Sequence, residues 1–320
     1  MDSNGHDSVR KKISFVVPCY NEEDNIKEMA HALTTLASDS LTAYDYEIIF
    51  ADNCSQDGTR NIIREECARD KRIKAIFNTR NFGQFNSVYH AMCQATGDAV
   101  IFFPCDFQDP IELLPEFVKA WEEGHSVVCG IKVTSDENRV MRALRTLYYR
   151  LIKKMSSVDQ IEHFTGFGLY DKSFVKVLRD LDDPMPYLRG IVAELGPADR
   201  KDIEYRQNKR RAGKSHYRLY DLYDEAMLGF TSYTKVGMRL ATIVGAFFSV
   251  ASIVAAFLYL VLKLLNWDMF PGGTVPTLLS VLVLGSVQLL FIGILGEYVV
   301  NINTRMMKRP LVIEECRINF

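Results

Sequence analysis

The stretch Pro104-Cys105-Asp106-Phe107-Gln108-Asp109-Pro110 decides the fold of this chain. It follows Ala99-Val100-Ile101-Phe102-Phe103, an apolar run with the length and composition of a buried parallel strand. It precedes Ile111-Glu112-Leu113-Leu114, which opens an amphipathic helix with Asp109 as a candidate cap. The pattern places the carboxylate of Asp106 at the carboxyl end of a central strand, where open α/β sheets bind ligands. For Asp109, helix capping is an equally good explanation.

Outward from this stretch, apolar strand-like runs alternate with amphipathic helices. Residues 164–171 are predicted to be a loop that enters a further strand, and Arg189 lies at the start of a short helix. Such alternation is typical of an α/β fold with a doubly wound, mainly parallel sheet. The predicted strands are 13–18, 46–51, 73–77, 99–103, 126–131 and 202–207.

Two long runs without charged residues, 240–262 and 269–296, follow the polar part of the chain. Each is long enough to cross a bilayer as a helix, so we expect two transmembrane helices. The turn between them, 266–273, has no Lys or Arg, whereas the outer flanks carry several, which predicts that both termini face the cytoplasm. The first dozen residues have no apolar core, so no signal peptide is expected. The flanking cations are Lys235, Arg239, Arg305, Lys308 and Arg309.

These features divide the chain into five predicted regions. They are a polar tail (1–12), a cytosolic catalytic domain (13–215), interfacial helices (216–236), a transmembrane hairpin (237–300) and a cytoplasmic tail (301–320). A basic amphipathic helix at 138–155 fits either a solvated helix packed on the sheet or contact with anionic lipid. The net charge of −2 gives no sign of a nucleic-acid partner. The seven cysteines lack zinc-ligand spacing and are expected to be reduced.

Three predicted strand ends carry polar residues that adjacent parallel strands would bring together. They are Pro18-Cys19-Tyr20-Asn21-Glu22, Asp52-Asn53-Cys54-Ser55 and Asp106. Carboxylates at such an edge accept hydrogen bonds from a base or a ribose, and one can hold a divalent cation against a pyrophosphate.

With these motifs the chain resembles family 2 glycosyltransferases. The further motifs are Arg80-Asn81-Phe82-Gly83, Asp106-Phe107-Gln108-Asp109-Pro110, Arg189-Gly190, Arg210-Arg211-Ala212-Gly213-Lys214-Ser215 and Leu295-Gly296-Glu297-Tyr298. Together with the two apolar runs, they resemble the membrane-anchored branch that transfers sugars to polyprenyl phosphate, which includes dolichyl-phosphate mannose synthases. The resemblance covers about residues 13–310.

The resemblance implies a GT-A fold, a nucleotide-sugar donor, Mg²⁺ or Mn²⁺, and inversion at the anomeric carbon. It assigns Asp106 to the metal and Gln108 to the diphosphate or sugar. Residues near the acceptor or donor phosphate would be Arg189, Arg210 and Ser215, although a solvated basic face also explains Arg210. The nucleotide-binding set would be Pro18, Tyr20, Glu22, Asp52, Asn81 and Gly83.

The chain departs from the family pattern at three positions. Pro104 replaces the first Asp of a D-x-D motif, Gly166 replaces an Asp often proposed as the base, and Gln84 replaces a frequent Lys. A hydroxyl acceptor needs a base, whereas a phosphate is already anionic at neutral pH. The change at Gly166 therefore favours a phosphate acceptor, unless Glu162 or Asp109 supplies a base.

We therefore expect an inverting, metal-dependent transfer of a hexose to polyprenyl phosphate on the cytoplasmic leaflet, with a UDP-sugar favoured over a GDP-sugar. One alternative is an enzyme of the same fold that uses a hydroxyl acceptor in cell-surface glycan assembly. Another is a weakly active scaffold that binds nucleotide sugars at the membrane. The sequence neither requires nor excludes a homo-oligomer.

Overall fold

The computed structural model describes residues 10–134, 161–208, 274–307 and 309–320, with isolated helical positions between 227 and 265. The chain divides into two compact units. The first contains Met1–Tyr149, Asp159–Arg218 and Lys308–Phe320, and the second contains Arg150–Val158 and Leu219–Met307.

One eight-stranded sheet forms the centre of the first unit. The strands are β1 (Lys12–Cys19), β2 (Asp45–Asp52), β3 (Ile73–Asn78), β4 (Ala99–Phe102), β5 (Val127–Thr134), β6 (Phe164–Asp171), β7 (Lys201–Arg206) and β8 (Glu314–Ile318). Their order in the sheet is β7-β5-β6-β4-β1-β2-β3-β8. The chain runs outward from β1 to β3 and then returns to the other side of β1 with β4. A ligand-binding crevice is expected at such a reversal.

The sheet is mainly parallel but mixed, because β1 to β4, β5 and β7 run in one direction and two strands run the other way. Strands β4, β1, β2 and β3 are parallel, as the sequence predicts. However, β6 runs antiparallel to both β4 and β5, and β8 runs antiparallel to β3. The predicted loop at the start of 164–171 is also part of a strand, because Phe164 pairs with Ile131 of β5.

Helices cover both faces of the sheet, and each buries an apolar stripe. On one face lie α1 (Glu23–Ser40), α2 (Thr59–Arg69) and α4 (Leu114–Glu122). On the other lie α3 (Gln84–Gln94), α5 (Lys172–Leu181) and α6 (Leu188–Leu195). In α1 the buried residues Ile26, Met29, Ala30 and Leu33 follow the spacing of one helix face.

The predicted capping role of Asp109 is wrong. A short 3₁₀ turn, Ile111–Leu113, precedes α4, and it has no side-chain cap. The carboxylate of Asp109 instead accepts a hydrogen bond from the hydroxyl of Tyr205 at the end of β7. The hydrogen bond joins residues that are 96 positions apart in the chain, and the Asp109 carboxylate does not cap α4.

The segment predicted to be a cytoplasmic tail, 301–320, contains regular secondary structure. Its first residues continue helix α7 (Thr274–Met306), and Glu314–Ile318 form the edge strand β8. Thr79 extends the pairing beyond β3, because its N–H donates to the carbonyl oxygen of Ile313 at 2.9 Å. The C-terminal segment is therefore part of the sheet.

In the second unit, the described residues include one segment that is long and apolar enough to cross a membrane, Val287–Met306 of α7. Of the first predicted span, the structure describes isolated helical positions between 243 and 261. Several predictions lie outside the described residues: most of the polar tail (1–9), the helix at 138–155, Arg210 and Ser215, the interfacial helices at 216–236 apart from residue 227, and the turn at 266–273.

Candidate active site

The polar strand ends converge at one edge of the sheet, as the sequence predicts. Cys19 pairs with Asp52 at the ends of β1 and β2, and the N–H of Asn53 donates to the carbonyl oxygen of Cys19 at 3.0 Å. On the other side of β1, the N–H of Phe103 donates to the carbonyl oxygen of Val16 at 3.0 Å. The loops that follow β1, β2 and β4 therefore begin side by side.

Each of these three loops contains a residue other than glycine with a positive φ. The angles are 55° at Asn21, 65° at Cys54 and 54° at Phe107. Such conformations cost about 1–3 kcal/mol each and cluster at functional sites. Asn21 is held in this conformation by two contacts, its N–H to Ser55 Oγ (2.9 Å) and its Oδ1 to the N–H of Gln56 (2.8 Å).

Asp52 and Glu22 are buried and are bound to groups of the protein itself. Both carboxylate oxygens of Asp52 accept from the Ser55 N–H, at 3.2 and 3.3 Å. Burial raises the pKa of Asp52, although hydrogen bonds from Ser55 and the charge of Arg60 oppose the shift. Glu22 Oε2 accepts from Asn25 Nδ2 at 2.6 Å. In this structure the two carboxylates support the loops, whereas Pro18 and Tyr20 keep exposed surface.

The loop before α3 depends on a residue that the sequence analysis did not assign to the site, Asn53. Its Nδ2 donates to Asn81 Oδ1 at 2.8 Å, and its Oδ1 accepts from the N–H of Phe82 at 3.0 Å. Asn81 Oδ1 also accepts from the N–H of Gly83, which has a φ of 84°. The only sequence signal for this role was a polar residue directly after a buried strand.

Asp106 and Gln108 are both partly exposed in the loop after β4. Asp106 Oδ1 accepts from the N–H of Gln108 at 3.2 Å. Gln108 also contacts the chain that leaves β7, since its carbonyl oxygen accepts from the N–H of Asn208 at 2.8 Å. Burial raises the pKa of Asp109 to about 6; the hydrogen bond from Tyr205 lowers it and the nearby charge of Asp106 raises it further.

A divalent cation fits Asp106 if the remaining ligands come from a bound diphosphate. Among the described residues, no group of three or more His, Cys, Asp or Glu could hold a metal by itself. Mg²⁺ is commonly bound by one or two carboxylates together with substrate phosphates, and Mn²⁺ also prefers oxygen ligands. The partly exposed Asp106 carboxylate matches that donor set.

Gly166 and Arg189 lie near the same edge. Antiparallel pairing of Phe102 with Gly168 places the start of β6 beside the end of β4. Gly166 has a φ of 100°, and a Cβ there would lie 3.2 Å from a ring carbon of Phe102 and 3.6 Å from Leu188. Arg189 follows Leu188 in the first turn of α6 and is half-buried. An aspartate at position 166 would therefore be strained.

Sequence comparison places these strand ends within a known family. The glycosyl transferase family 2 model matches residues 14–179. The bactoprenol glucosyl transferase of Shigella phage SfX is 32% identical over 310 residues, which cover 96% of this chain and 99% of that protein. The putative glycosyltransferase CsbB of Bacillus subtilis (strain 168) is 33% identical over 308 residues, covering 96% and 92%.

Among solved structures, mannosyl-3-phosphoglycerate synthase from Rubrobacter xylanophilus aligns with 68% of this chain and 71% of its own, with 18% identity and a TM-score of 0.47. The region matched by the family model includes every loop described above except the segments that contain Arg189 and Asn208.

Proposed function

The chain belongs to glycosyltransferase family 2, and from this premise we propose that it transfers a hexose from a UDP-sugar to polyprenyl phosphate. The observation that carries the proposal is the alignment of a bactoprenol glucosyl transferase with 96% of the chain, including the apolar C-terminal part. Membership of this family and the glucosyl transferase relatives favour a transferase over the weakly active scaffold.

The nucleotide would bind where the loops after β1 and β2 meet. Pro18 and Tyr20 offer partly exposed surface there, and Asn81 and Gly83 lie in the adjoining loop. The buried carboxylates of Glu22 and Asp52 stabilise these loops by accepting hydrogen bonds from Asn25 and Ser55. A direct contact of either carboxylate with the base or the ribose would require the loops to open.

Asp106 would bind Mg²⁺ or Mn²⁺ together with the donor diphosphate, and Gln108 would contact the diphosphate or the sugar. The cation would neutralise negative charge that accumulates on the leaving diphosphate. Asp106 is suited to this because its carboxylate is partly exposed and only one hydrogen bond, from the Gln108 N–H, fixes it in the described structure.

The acceptor phosphate would attack the anomeric carbon from the face opposite the diphosphate. One bond forms from a phosphate oxygen to that carbon as the bond from the carbon to the diphosphate breaks. The nucleoside diphosphate leaves with the bonding electrons, and the configuration at the anomeric carbon is inverted. An ionised phosphate has no proton to lose, which agrees with a glycine at 166. Arg189, Arg210 and Ser215 would bind the phosphate groups.

We place the reaction at the cytoplasmic face of a membrane, with two spans at 240–262 and 269–296. Support comes from α7, where the large apolar residues Leu289, Leu290 and Ile292 are more than 60% exposed. A long apolar helix with exposed side chains fits contact with lipid. The same arrangement would bring the enzyme to a lipid acceptor.

One observation favours the second candidate, a hydroxyl acceptor. Asp109 has a pKa of about 6 and lies three residues after Asp106, so a carboxylate with the proton affinity of a base is present at this edge. Its burial under Tyr205 argues against direct contact with an acceptor, since the side chain is 4% exposed.

The test is a transfer assay with the purified protein and a panel of UDP- and GDP-sugars, with either polyprenyl phosphate or a hydroxyl-bearing lipid as acceptor, followed by mass measurement of the lipid product. A hexosyl phosphate is released by mild acid, whereas a glycoside formed on a hydroxyl is not. Transfer to polyprenyl phosphate with an acid-labile product supports the proposal. Transfer only to a hydroxyl-bearing lipid would replace it with the second candidate.

A further inference from the structure

Arg60 connects the edge strand β8 to Asp52 at the candidate nucleotide site. Its Nη2 donates to Glu315 Oε2 at 2.7 Å, and its Nε lies 3.1 Å from Asp52 Oδ2. The second contact is an ion pair without an aligned hydrogen bond. A single guanidinium on α2 is therefore shared between a carboxylate of the second strand and one of the last.

The sheet register brings these groups together. Asp52 of β2 pairs with Phe77 of β3, and Phe77 pairs with Cys316 of β8. The guanidinium of Arg60 lies over the Phe77 ring, 5.0 Å from its centroid. Arg60 is 22% exposed, Asp52 is fully buried and Glu315 is 46% exposed. The ring, the helix and two carboxylates thus fix the position of one cation.

The charge of Arg60 matters because Asp52 is buried. An ionised carboxylate without a partner is costly in a protein interior, and removing one member of a buried pair leaves that cost in place. Asp52 in turn accepts a hydrogen bond from the Ser55 N–H, and Ser55 Oγ accepts one from the N–H of Asn21. A chain of contacts therefore leads from β8 to the loop that contains Tyr20.

We propose that Glu315 is a positioning residue for the nucleotide end of the active site, which acts by holding Arg60 against Asp52. The inference rests on the proposed function, because it takes the loops after β1 and β2 as the place where the nucleotide binds. Without Glu315, Arg60 loses its aligned partner and turns toward water, and the loops around Asp52 lose their fixed shape. The C-terminal strand thereby completes the donor site.

The experiment compares Glu315→Gln with Glu314→Gln in the full-length protein. Glu314 is a matched control in the same strand, since it binds His90 and Arg317 instead of Arg60. Dissociation constants for UDP and for GDP with Mn²⁺ are measured by calorimetry, and melting temperatures are measured without ligand. We expect Glu315→Gln to weaken binding of the preferred nucleotide about two- to five-fold, the range of partly exposed ion pairs. Glu315→Asp should recover part of the loss, and Glu314→Gln should bind as the wild type does.

The outcomes separate this inference from the proposed function. Equal nucleotide affinity in the wild type and Glu315→Gln overturns the positioning role and leaves the proposed function intact. Equal weakening by both β8 variants, with matching losses of melting temperature, also overturns it, because β8 would then act only as an edge strand. A wild type that binds neither UDP nor GDP overturns both. Weaker binding in Glu315→Gln alone, with kcat at saturating donor unchanged, supports the inference.

Discussion

The backbone N–H of Asn208 donates a hydrogen bond to the carbonyl oxygen of Gln108, with 2.8 Å between the two atoms. The chain that leaves β7 is thereby attached to the loop that carries Asp106. The side chain of Gln207 also approaches Gln108, with 3.5 Å between Nε2 and Oε1. Asn208 thus lies beside the loop that contains the candidate metal ligand, and in the sequence Arg210 follows two residues later.

We expect Arg210→Ala to lower kcat/KM for polyprenyl phosphate and to leave donor affinity nearly unchanged. A hydrogen bond to a charged group contributes about 1.5–3 kcal/mol, so the loss should be roughly 10- to 150-fold. Arg210→Lys should recover part of the activity, because the charge returns without the planar fork. Steady-state kinetics with each substrate varied would measure this, with Lys209→Ala as the control. Loss of donor binding with normal acceptor kinetics would move Arg210 to the donor site.

Asp106→Asn should abolish transfer and the Mn²⁺-dependent stabilisation of the protein by nucleotide. Pro104 offers no second carboxylate to replace it. Melting temperatures with and without Mn²⁺ and nucleotide would separate a lost site from a damaged fold, because ligand binding raises the midpoint only where the site remains. Asp45→Asn, an exposed residue at the opposite end of β2, is the control. Full activity of Asp106→Asn would remove Asp106 from the mechanism.

The raised pKa of Asp109 predicts a pH-dependent difference between the wild type and Asp109→Asn. Between about pH 4 and 6 the folded protein holds a proton that the unfolded chain releases, so this group favours folding as the pH falls and loses that effect above pH 6. Two pKa units correspond to on the order of 2–3 kcal/mol. At pH 8 the free energy of unfolding should thus be larger for Asp109→Asn than for the wild type. This difference between the two proteins should vanish near pH 4.

Thermal midpoints of both proteins across this range would measure the difference. The groups that act on Asp109 are Tyr205, Asp106, Lys132 and Gln207. Tyr205 can still donate to the amide oxygen of an asparagine, so a constant gap between the two proteins at all pH values would show that Asp109 is ionised normally in the folded state.

Gly166→Asp should destabilise the protein and should not create activity toward a hydroxyl acceptor. The φ of 100° is unfavourable for any residue with a Cβ, and Phe102 lies close to that position. The expected cost is about 1–3 kcal/mol. Gly166→Ala, which adds the Cβ without the carboxylate, should lose a similar amount. A stable Gly166→Asp with new acceptor activity would contradict the strain seen in the structure.

The proposed topology places both termini in the cytoplasm and the turn at 266–273 on the other side. Cysteine introduced at Asp268 should react with a membrane-impermeant thiol reagent in intact cells, whereas Ser3→Cys should react only after the cells are opened. The asymmetry of Lys and Arg around the two uncharged runs is the basis of this expectation. Labelling of Ser3→Cys and protection of Asp268→Cys in intact cells would reverse the orientation.

The central strands could be predicted because helices cover both of their faces. A strand in that position must be apolar along nearly its whole length, which is visible in a single sequence. The parallel pairing of β1 and β2 then places Cys19 beside Asp52, and Asp106 is partly exposed in the loop after β4. The convergence of the polar strand ends at the candidate site could thus be predicted from local patterns and the rules of sheet topology.

Strand β8 could not be predicted in this way. Its residues alternate between half-buried and exposed, and its charges are balanced by residues far away in sequence, such as His90 with Glu314 and Arg60 with Glu315. Without those partners the segment has the composition of a polar tail. The burial of Asp52 could not be predicted for a different reason: its partners Ser55 and Arg60 are close in sequence, but their contacts with the carboxylate depend on the three-dimensional arrangement of the loop and α2.

The pairing of β3 with β8 also determines the order in which the protein can be completed. Thr79 and its partner Ile313 are 234 residues apart in the chain. At ribosomal rates of about 5–20 residues per second, the open edge of β3 waits roughly 12 to 50 seconds for its neighbour. Unpaired sheet edges are templates for aggregation. Because α7 is synthesised before β8, this edge closes only after the apolar helix has left the ribosome, and a nascent chain that stalls within α7 keeps the edge exposed to chaperones and proteases.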